Sequence, residues 1–275
     1  MSWLDALLLG IIQGLSEYLP ISSSGHLEIF RHLLDSKLGS TTSLEFDVTL
    51  HVATVLSTII ILWKEFAPLC RSFFTLKRDA NTTYVWKLIV SCIPVAIVGI
   101  CFKDVVESFF SGNLTLVGIC LCVTAALLSF AYFFRTRPSI EKHKKGHEIT
   151  WLDAIVMGIA QAVAVLPGLS RSGTTIATGI SMGARREAVA RFSFFMVIIP
   201  ILGQALLDTV KLLQGDTAAD SSFEVIGWGP MIIGFIAALL VGCAACKWML
   251  EFVKKGKLVW FAVYCLIVGV LCIVL

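Results

Sequence analysis

The sequence predicts an all-α polytopic membrane protein built as an inverted repeat, in which each half has one re-entrant helix–loop–helix hairpin and three transmembrane helices. Three observations carry this prediction. Hydrophobic residues make up 57% of the 275-residue chain and charged residues only 15%, whereas soluble domains average roughly a quarter charged residues. Six apolar stretches are long enough to cross a bilayer. Two similar segments, each with a turn in its middle, recur in the two halves.

This composition excludes an ordinary soluble enzyme, because the polar surface that a soluble domain needs is missing. The formal net charge is only +3, and the basic residues are scattered among apolar stretches. No nucleic-acid partner is therefore expected. The expected partners are the lipid bilayer and, in a possible homodimer, a second copy of the chain.

The first predicted element is a hairpin over residues 3–33, and its counterpart covers residues 151–183. Each is interrupted by a turn rich in proline and serine, LPISSSGH in the first and LPGLSRSGTT in the second. The arms on either side are too short to span a bilayer, which takes about 20 apolar residues. Irregular backbone at membrane depth occurs only where it is buried in protein or lines a cavity. We therefore interpret both segments as re-entrant hairpins.

Three predicted spans follow each hairpin, and a loop over residues 135–150 separates the first repeat (1–134) from the second (151–275). The spans cover about 46–64, 84–102, 114–134, 190–209, 225–246 and 257–275. Since three spans reverse the side from which the chain enters the membrane, the two hairpins enter from opposite sides.

Internal similarity supports this division of the chain. Aligning residues 3–26 with residues 151–174 without a gap gives ten identities in 24 positions. Both copies open with a capping-box pattern, Ser-x-x-Asp in the first and Thr-x-x-Asp in the second, which is typical of a helix start. The two helices are therefore expected to begin at equivalent positions.

The distribution of basic residues predicts the orientation. Seventeen of the 22 lysines and arginines lie in four segments, 64–87, 135–150, 183–191 and 247–257. Four others lie on the opposite side of the membrane, and Arg171 lies at a hairpin tip. By the positive-inside rule the four basic segments are cytoplasmic. Both termini are then extracytoplasmic, and the first hairpin opens outward.

Polar residues concentrate in the two hairpins, where a functional site is the default interpretation. Gln13 and Glu17 are four residues apart and share one helix face. Two helix N-termini that meet at the turns would offer free N–H groups and a positive dipole, which suits phosphate. Arg171 adds a guanidinium that pairs with phosphate in a bidentate manner. The predicted substrate ligands are Gln13, Ser22, Ser24, Gly25, Ser170, Ser172, Gly173, Thr174 and Thr175.

Four residues are predicted to be catalytic, namely Glu17, Ser23, His26 and Arg171. Glu17 can accept a proton, and His26 can act as a nucleophile or an acid. The nucleophile is Ser23 activated by Glu17, His26 itself, or a water molecule. We favour Ser23, with His26 orienting the phosphate or protonating the leaving group. The alternative to catalysis is a buried Glu17–Arg171 ion pair that joins the hairpins.

The two turns resemble the motifs of a known family. QGLSEYLPISSSGH (13–26) is similar to the (E/Q)xxxE…SSxGH motif of undecaprenyl pyrophosphate phosphatases of the bacitracin-resistance type. PGLSRSGTT (167–175) is similar to the PGxSRSxxT motif of that family. The resemblance extends over the whole chain, and family members often have glutamate where this chain has Gln13. Glu17 would then carry the carboxylate role alone.

This resemblance implies an inner-membrane bacterial enzyme. Such an enzyme hydrolyses the lipid undecaprenyl pyrophosphate to undecaprenyl phosphate and inorganic phosphate, and so recycles the lipid carrier for cell-wall synthesis. The resemblance also implies dependence on a divalent cation, Mg²⁺ or Ca²⁺, for which the sequence offers no dedicated set of carboxylate ligands.

An alternative is a polyprenyl-phosphate flippase or transporter, because secondary transporters combine inverted repeats with broken helices at the bilayer midplane. Such a protein would bind phosphate but would need no nucleophile. His51, one turn inside the first span, either lines the cavity or is a structural histidine, and we favour the structural interpretation.

Overall fold

A computed structural model of the chain describes residues 1–38, 44–75, 78–109, 113–135, 147–214 and 227–274. The regular elements within these ranges are thirteen α-helices. In chain order they are α1 (Trp3–Ser16), α2 (Ser23–Leu38), α3 (Leu44–Ile61), α4 (Trp63–Phe74), α5 (Ala80–Cys101), α6 (Lys103–Ser108), α7 (Leu114–Arg135), α8 (Trp151–Val163), α9 (Arg171–Ser181), α10 (Arg186–Met196), α11 (Ile198–Gln214), α12 (Trp228–Lys254) and α13 (Val259–Val274). Most of the predicted loop 135–150 lies outside the described residues.

The helices include enough apolar length for a polytopic membrane protein, as predicted. Four segments are long and apolar enough to cross a membrane, namely Ala80–Cys101, Leu114–Phe133, Arg186–Leu207 and Trp228–Lys254. A fifth candidate is the pair Phe46–Ile61 and Trp63–Phe74, which is bent by 93° at the break between them. Three shorter apolar helices, α1, α8 and α13, complete the set.

The two predicted helix starts are confirmed by their caps. Ser2 Oγ accepts a hydrogen bond from the Asp5 backbone N–H at 3.1 Å, and the Asp5 carboxylate accepts one from the Ser2 N–H at 3.1 Å. Thr150 and Asp153 make the same two bonds at 3.2 and 2.8 Å. These reciprocal bonds satisfy N–H groups that a helix start leaves free. As a result, α1 and α8 begin at equivalent positions and each ends before the proline of its turn.

Helices from the first half of the chain pack against helices from the second half. α1 packs along α12, where Gly10 lies directly against the backbone of Gly234. α8 packs along α5, where Gly158 lies against the backbone of Ser91. α7 and α13, the last helix of each half, pack against each other. The interior is therefore shared between the halves.

The contact between α1 and α12 can be tested at Gly10. A Cβ atom at this position would lie 2.5 Å from the Gly234 carbonyl oxygen. Gly10→Val should therefore force α1 away from α12 and lower the free energy of unfolding by roughly 1–3 kcal/mol. The measurement is the thermal transition of the detergent-purified protein. Gly99→Ala is the control, because nothing lies within 4 Å of its added Cβ. An unchanged transition in Gly10→Val would contradict this packing.

Candidate active site

The two turns that interrupt the predicted hairpins are in direct contact. A Cβ atom on Gly25 would lie 2.9 Å from the Cα of Gly168, so a side chain at this position would push the turns apart. Ser172 Oγ, in the second turn, donates a hydrogen bond to the Leu19 carbonyl oxygen, in the first, at 3.3 Å. Residues far apart in the sequence are thereby brought into one site.

Each turn closes with the same serine cap. Ser22 Oγ accepts a hydrogen bond from Gly25 N–H at 3.2 Å, and Ser170 Oγ accepts one from Gly173 N–H at 3.0 Å. Ser22 also has a positive φ of 71°, a backbone conformation that costs a non-glycine residue of order 1 kcal/mol. Two of the predicted ligands, Ser22 and Ser170, therefore shape the start of the helix that follows each turn.

The buried carboxylate of Glu17 lies at the centre of the site. Its Oε2 accepts hydrogen bonds from Gln13 Nε2 at 3.0 Å and from Ser23 Oγ at 2.8 Å. Its Oε1 accepts a hydrogen bond from Arg171 Nη2, which forms an ion pair between the two hairpins. A carboxylate is withdrawn from water at high cost unless such donors surround it. The structure thus brings together Gln13, Glu17, Ser23 and Arg171, and it contains the ion pair that the alternative interpretation requires.

A cavity of about 200 Å³ adjoins this cluster. Its wall is formed by Ser22, Ser23, Ser24, His51, Val95, Gln161, Ala164, Val165, Leu169, Arg171 and Pro200. Ser23 and Arg171 face the cavity, while Glu17 lies one hydrogen bond behind them. Hydroxyl donors and a guanidinium on an otherwise apolar wall suit an anionic, oxygen-rich group such as phosphate.

The predicted substrate ligands of the second hairpin lie off this wall, unlike the predicted catalytic residue Arg171. They are Ser170, Ser172, Gly173, Thr174 and Thr175. Thr175 Oγ1 is hydrogen-bonded to Ser193 Oγ at 2.7 Å, and Ser170 N–H donates to Thr124 Oγ1 at 3.0 Å. These contacts tie the second turn and α9 to their neighbours. A direct contact of these residues with substrate stays a prediction.

His26 lies apart from the Glu17 cluster and off the cavity wall. Its Nδ1 donates to the Ser22 carbonyl oxygen at 2.8 Å, and its Nε2 accepts from the Tyr264 hydroxyl at 2.7 Å. The His26 and Tyr264 rings are also stacked, with an interplanar angle of 14°. Both ring nitrogens are therefore engaged, and His26 connects the first turn to α13. Its predicted role at the phosphate stays a prediction.

Sequence reasoning missed three side chains at the site. His51 lies on the cavity wall, and its Nε2 is 3.8 Å from Glu17 Oε2. Tyr264 binds His26 from the last helix. Gln161 is buried on the cavity wall. Gln161 carried a sequence signal, because it aligns with Gln13 in the internal repeat. His51 carried one as well, because it is an ionisable residue inside a predicted span.

The described part of the chain contains no cluster of side chains that could hold the expected divalent cation by themselves. No group of three or more His, Cys, Asp or Glu side chains there could hold a metal ion. Both oxygens of Glu17, the carboxylate at the centre of the site, already accept hydrogen bonds from protein donors. Mg²⁺ also binds through one or two carboxylates together with substrate phosphates, so dependence on a divalent cation stays a prediction.

Comparison with known proteins extends the two motif matches to the whole chain. Residues 6–271 match the family described as bacitracin resistance protein BacA. An undecaprenyl-diphosphatase of Bacteroides thetaiotaomicron is 50% identical, over 100% of this chain and 99% of that protein. The undecaprenyl-diphosphatases of Bacteroides fragilis and Parabacteroides distasonis are 50% and 48% identical, each over at least 99% of this chain and 98% of their own. The resemblance predicted from the two turns is confirmed.

Proposed function

This chain belongs to the bacitracin resistance protein BacA family, and we infer that it is a membrane undecaprenyl-diphosphatase. It hydrolyses undecaprenyl diphosphate to undecaprenyl phosphate and inorganic phosphate, which recycles the lipid carrier for cell-wall synthesis. Within the site, the observation that carries this function is the hydrogen bond from Ser23 to the buried Glu17 beside a phosphate-sized cavity. A protein that only moves the lipid would need no such paired hydroxyl and base.

Ser23 is the proposed nucleophile. Its Oγ attacks the terminal phosphorus, the bridging P–O bond breaks, and the electron pair leaves on undecaprenyl phosphate. The Ser23 proton passes to Glu17 Oε2, which accepts its hydrogen bond at 2.8 Å. Water then hydrolyses the phosphoserine and releases inorganic phosphate. Phosphoryl transfers depend chiefly on positioning and on charge stabilisation. The hydrogen bond between Ser23 and Glu17 supports the positioning of the nucleophile beside its base.

The remaining site residues support this pair. Arg171 lies on the cavity wall, where its guanidinium would stabilise charge on the transferred group. Gln13 holds the Glu17 carboxylate through a hydrogen bond at 3.0 Å. His26 and Tyr264 fix the turn that carries Ser23, which supports a positioning role for His26.

We further propose that residues 1–134 and 151–275 form an inverted repeat of re-entrant hairpin and three spans around this site. The reciprocal packing supports it, because α1 of the first half contacts α12 while α8 of the second half contacts α5. The identical serine caps of the two turns also support it. Breaks that meet inside the protein would let a membrane-embedded lipid bring its diphosphate to the cavity.

The proposed location is the bacterial inner membrane, with both termini extracytoplasmic and the site opening outward. The distribution of lysine and arginine supports this orientation. All four basic segments also meet in space, because Arg191 lies 3.3 Å from Glu65 and Lys254 lies 2.9 Å from Glu187. Glu148, in the fourth segment, pairs with Arg185. Their shared end of the helix bundle would face the cytoplasm. We also propose that the protein forms a homodimer. A Mg²⁺ or Ca²⁺ ion is proposed to enter the site together with the diphosphate.

Hydrolysis in detergent separates the enzyme from the flippase. The purified protein should release phosphate from undecaprenyl diphosphate without a membrane or a gradient, and Ser23→Ala should lower turnover by roughly 100-fold or more while substrate still binds. Ser108→Ala, at an exposed serine on α6, is the matched control. Binding without release by the unmodified protein would favour the flippase. Substantial turnover of Ser23→Ala would exclude Ser23 as the nucleophile.

Arg171→Lys distinguishes a catalytic guanidinium from a structural ion pair. Lysine keeps the charge but cannot supply a bidentate fork, so most of the turnover should be lost while the thermal transition changes little. Phosphate release and thermal stability are measured in the same preparation. Arg185→Lys is the control, because Arg185 is half-exposed and pairs with the exposed Glu148. Near-normal turnover of Arg171→Lys would favour the structural interpretation.

Single cysteines test the orientation in intact cells. All nine native cysteines are free, so they are first replaced. Asp35→Cys should then react with a membrane-impermeant maleimide, and Lys144→Cys should react only after the membrane is permeabilised. The reverse pattern would refute the proposed topology.

A further inference from the structure

We propose that His51 is the general base that activates the hydrolytic water in this reaction. The proposal deepens the function proposed above and rests on it. His51 reaches the cavity from α3, a transmembrane helix that carries neither of the two sequence motifs. It lies on the same wall as Ser23 and Arg171, and its side chain is 25% exposed.

The backbone of α3 fixes which ring nitrogen is available. His51 Nδ1 lies 2.7 Å from the carbonyl oxygen of Asp47, one turn earlier, and donates its proton there. In the neutral ring the lone pair is then on Nε2. The carboxylate of Asp47 is bound by Arg31 and does not compete for the ring. In this neutral form, the unprotonated nitrogen of His51 is oriented toward Glu17.

The position of Nε2 suits water activation. It lies 3.8 Å from Glu17 Oε2, the oxygen that also accepts the hydrogen bond from Ser23 Oγ. This distance is too long for a direct hydrogen bond, and an ionised carboxylate has no proton to donate to the lone pair of Nε2. His26 differs, because Tyr264 occupies its Nε2. Of the two histidines near Ser23, only His51 lies on the cavity wall with Nε2 available to a water molecule.

With His51 as the base, every proton transferred in the second step has a donor and an acceptor. The water oxygen forms a bond to the phosphorus of phosphoserine, and the P–Oγ bond breaks. Glu17 returns its proton to Ser23 Oγ and becomes a carboxylate. The water proton moves to His51 Nε2, and the imidazolium then lies beside the newly formed Glu17 charge. The step ends with an attractive pair of charges, and His51 releases its proton before the next turnover.

Chemical rescue tests this role. His51→Ala should lower kcat by roughly 100-fold or more, the usual contribution of a general base, while kcat/KM stays within about threefold, because kcat/KM reports only the steps up to formation of the phosphoserine and Ser23 and Arg171 still carry out those steps. Added imidazole should restore turnover by about tenfold, since a small base can replace the lost one. The first product, undecaprenyl phosphate, should still form in a burst at the first turnover. His32→Gln, at an exposed histidine on α2, is the control and should match the unmodified protein.

The results separate this role from the proposed function. If His51→Ala keeps more than about a tenth of the turnover, or if imidazole does not restore a correctly folded variant, His51 is not the base. Loss of the initial burst would place His51 in the first step and also overturn the assignment. If the unmodified protein releases no phosphate, both the function and the role of His51 fail.

Discussion

The buried carboxylate of Glu17 imposes the constraint on which the rest of the site depends. A carboxylate withdrawn from water is stable only when donors surround it, and here the donors come from three separate segments. Gln13 lies one turn earlier on α1, Ser23 begins α2, and Arg171 begins α9 in the other half of the chain. Glu17 is therefore satisfied only when the two halves dock with their turns in contact. Docking of the two halves therefore also assembles the site.

Close approach of backbones makes that docking possible. Glycines lie at two of the contacts between the halves. A side chain at Gly25 would overlap with Gly168, and one at Gly10 would overlap with Gly234. Helices that pack in lipid gain little from hydrophobic burial, so tight backbone packing carries more of the association energy. The strained backbone of Ser22 belongs to the same arrangement, because its carbonyl and hydroxyl groups both serve as acceptors within the turn.

The sequence could predict the parts of this structure that repeat or that depend on local pattern. Apolar length and the two capping boxes predicted helices with equivalent starts, and the paired turns predicted that Glu17, Ser23 and Arg171 would share a site. The 93° bend between α3 and α4 was not predictable, because hydropathy gives the length of a helix but not its direction. The contact between His26 and Tyr264 joins residues 238 positions apart, and no periodicity encodes such a pair. His51 was interpreted as a structural histidine, because a single histidine in an apolar span does not reveal whether its side of the helix faces the site.

Helices of each half pack against helices of the other half, and this affects the order in which the newly made chain can fold. α1 leaves the ribosome long before α12, the helix against which it packs, because α12 ends only at Lys254. Until α12 has been made, α1 has no partner for its glycine-rich face. The order in which segments enter the membrane thus differs from the order in which they can pack. A fragment that stops before α12 cannot complete its own interior, and α12 closes the protein around a turn that was translated long before it.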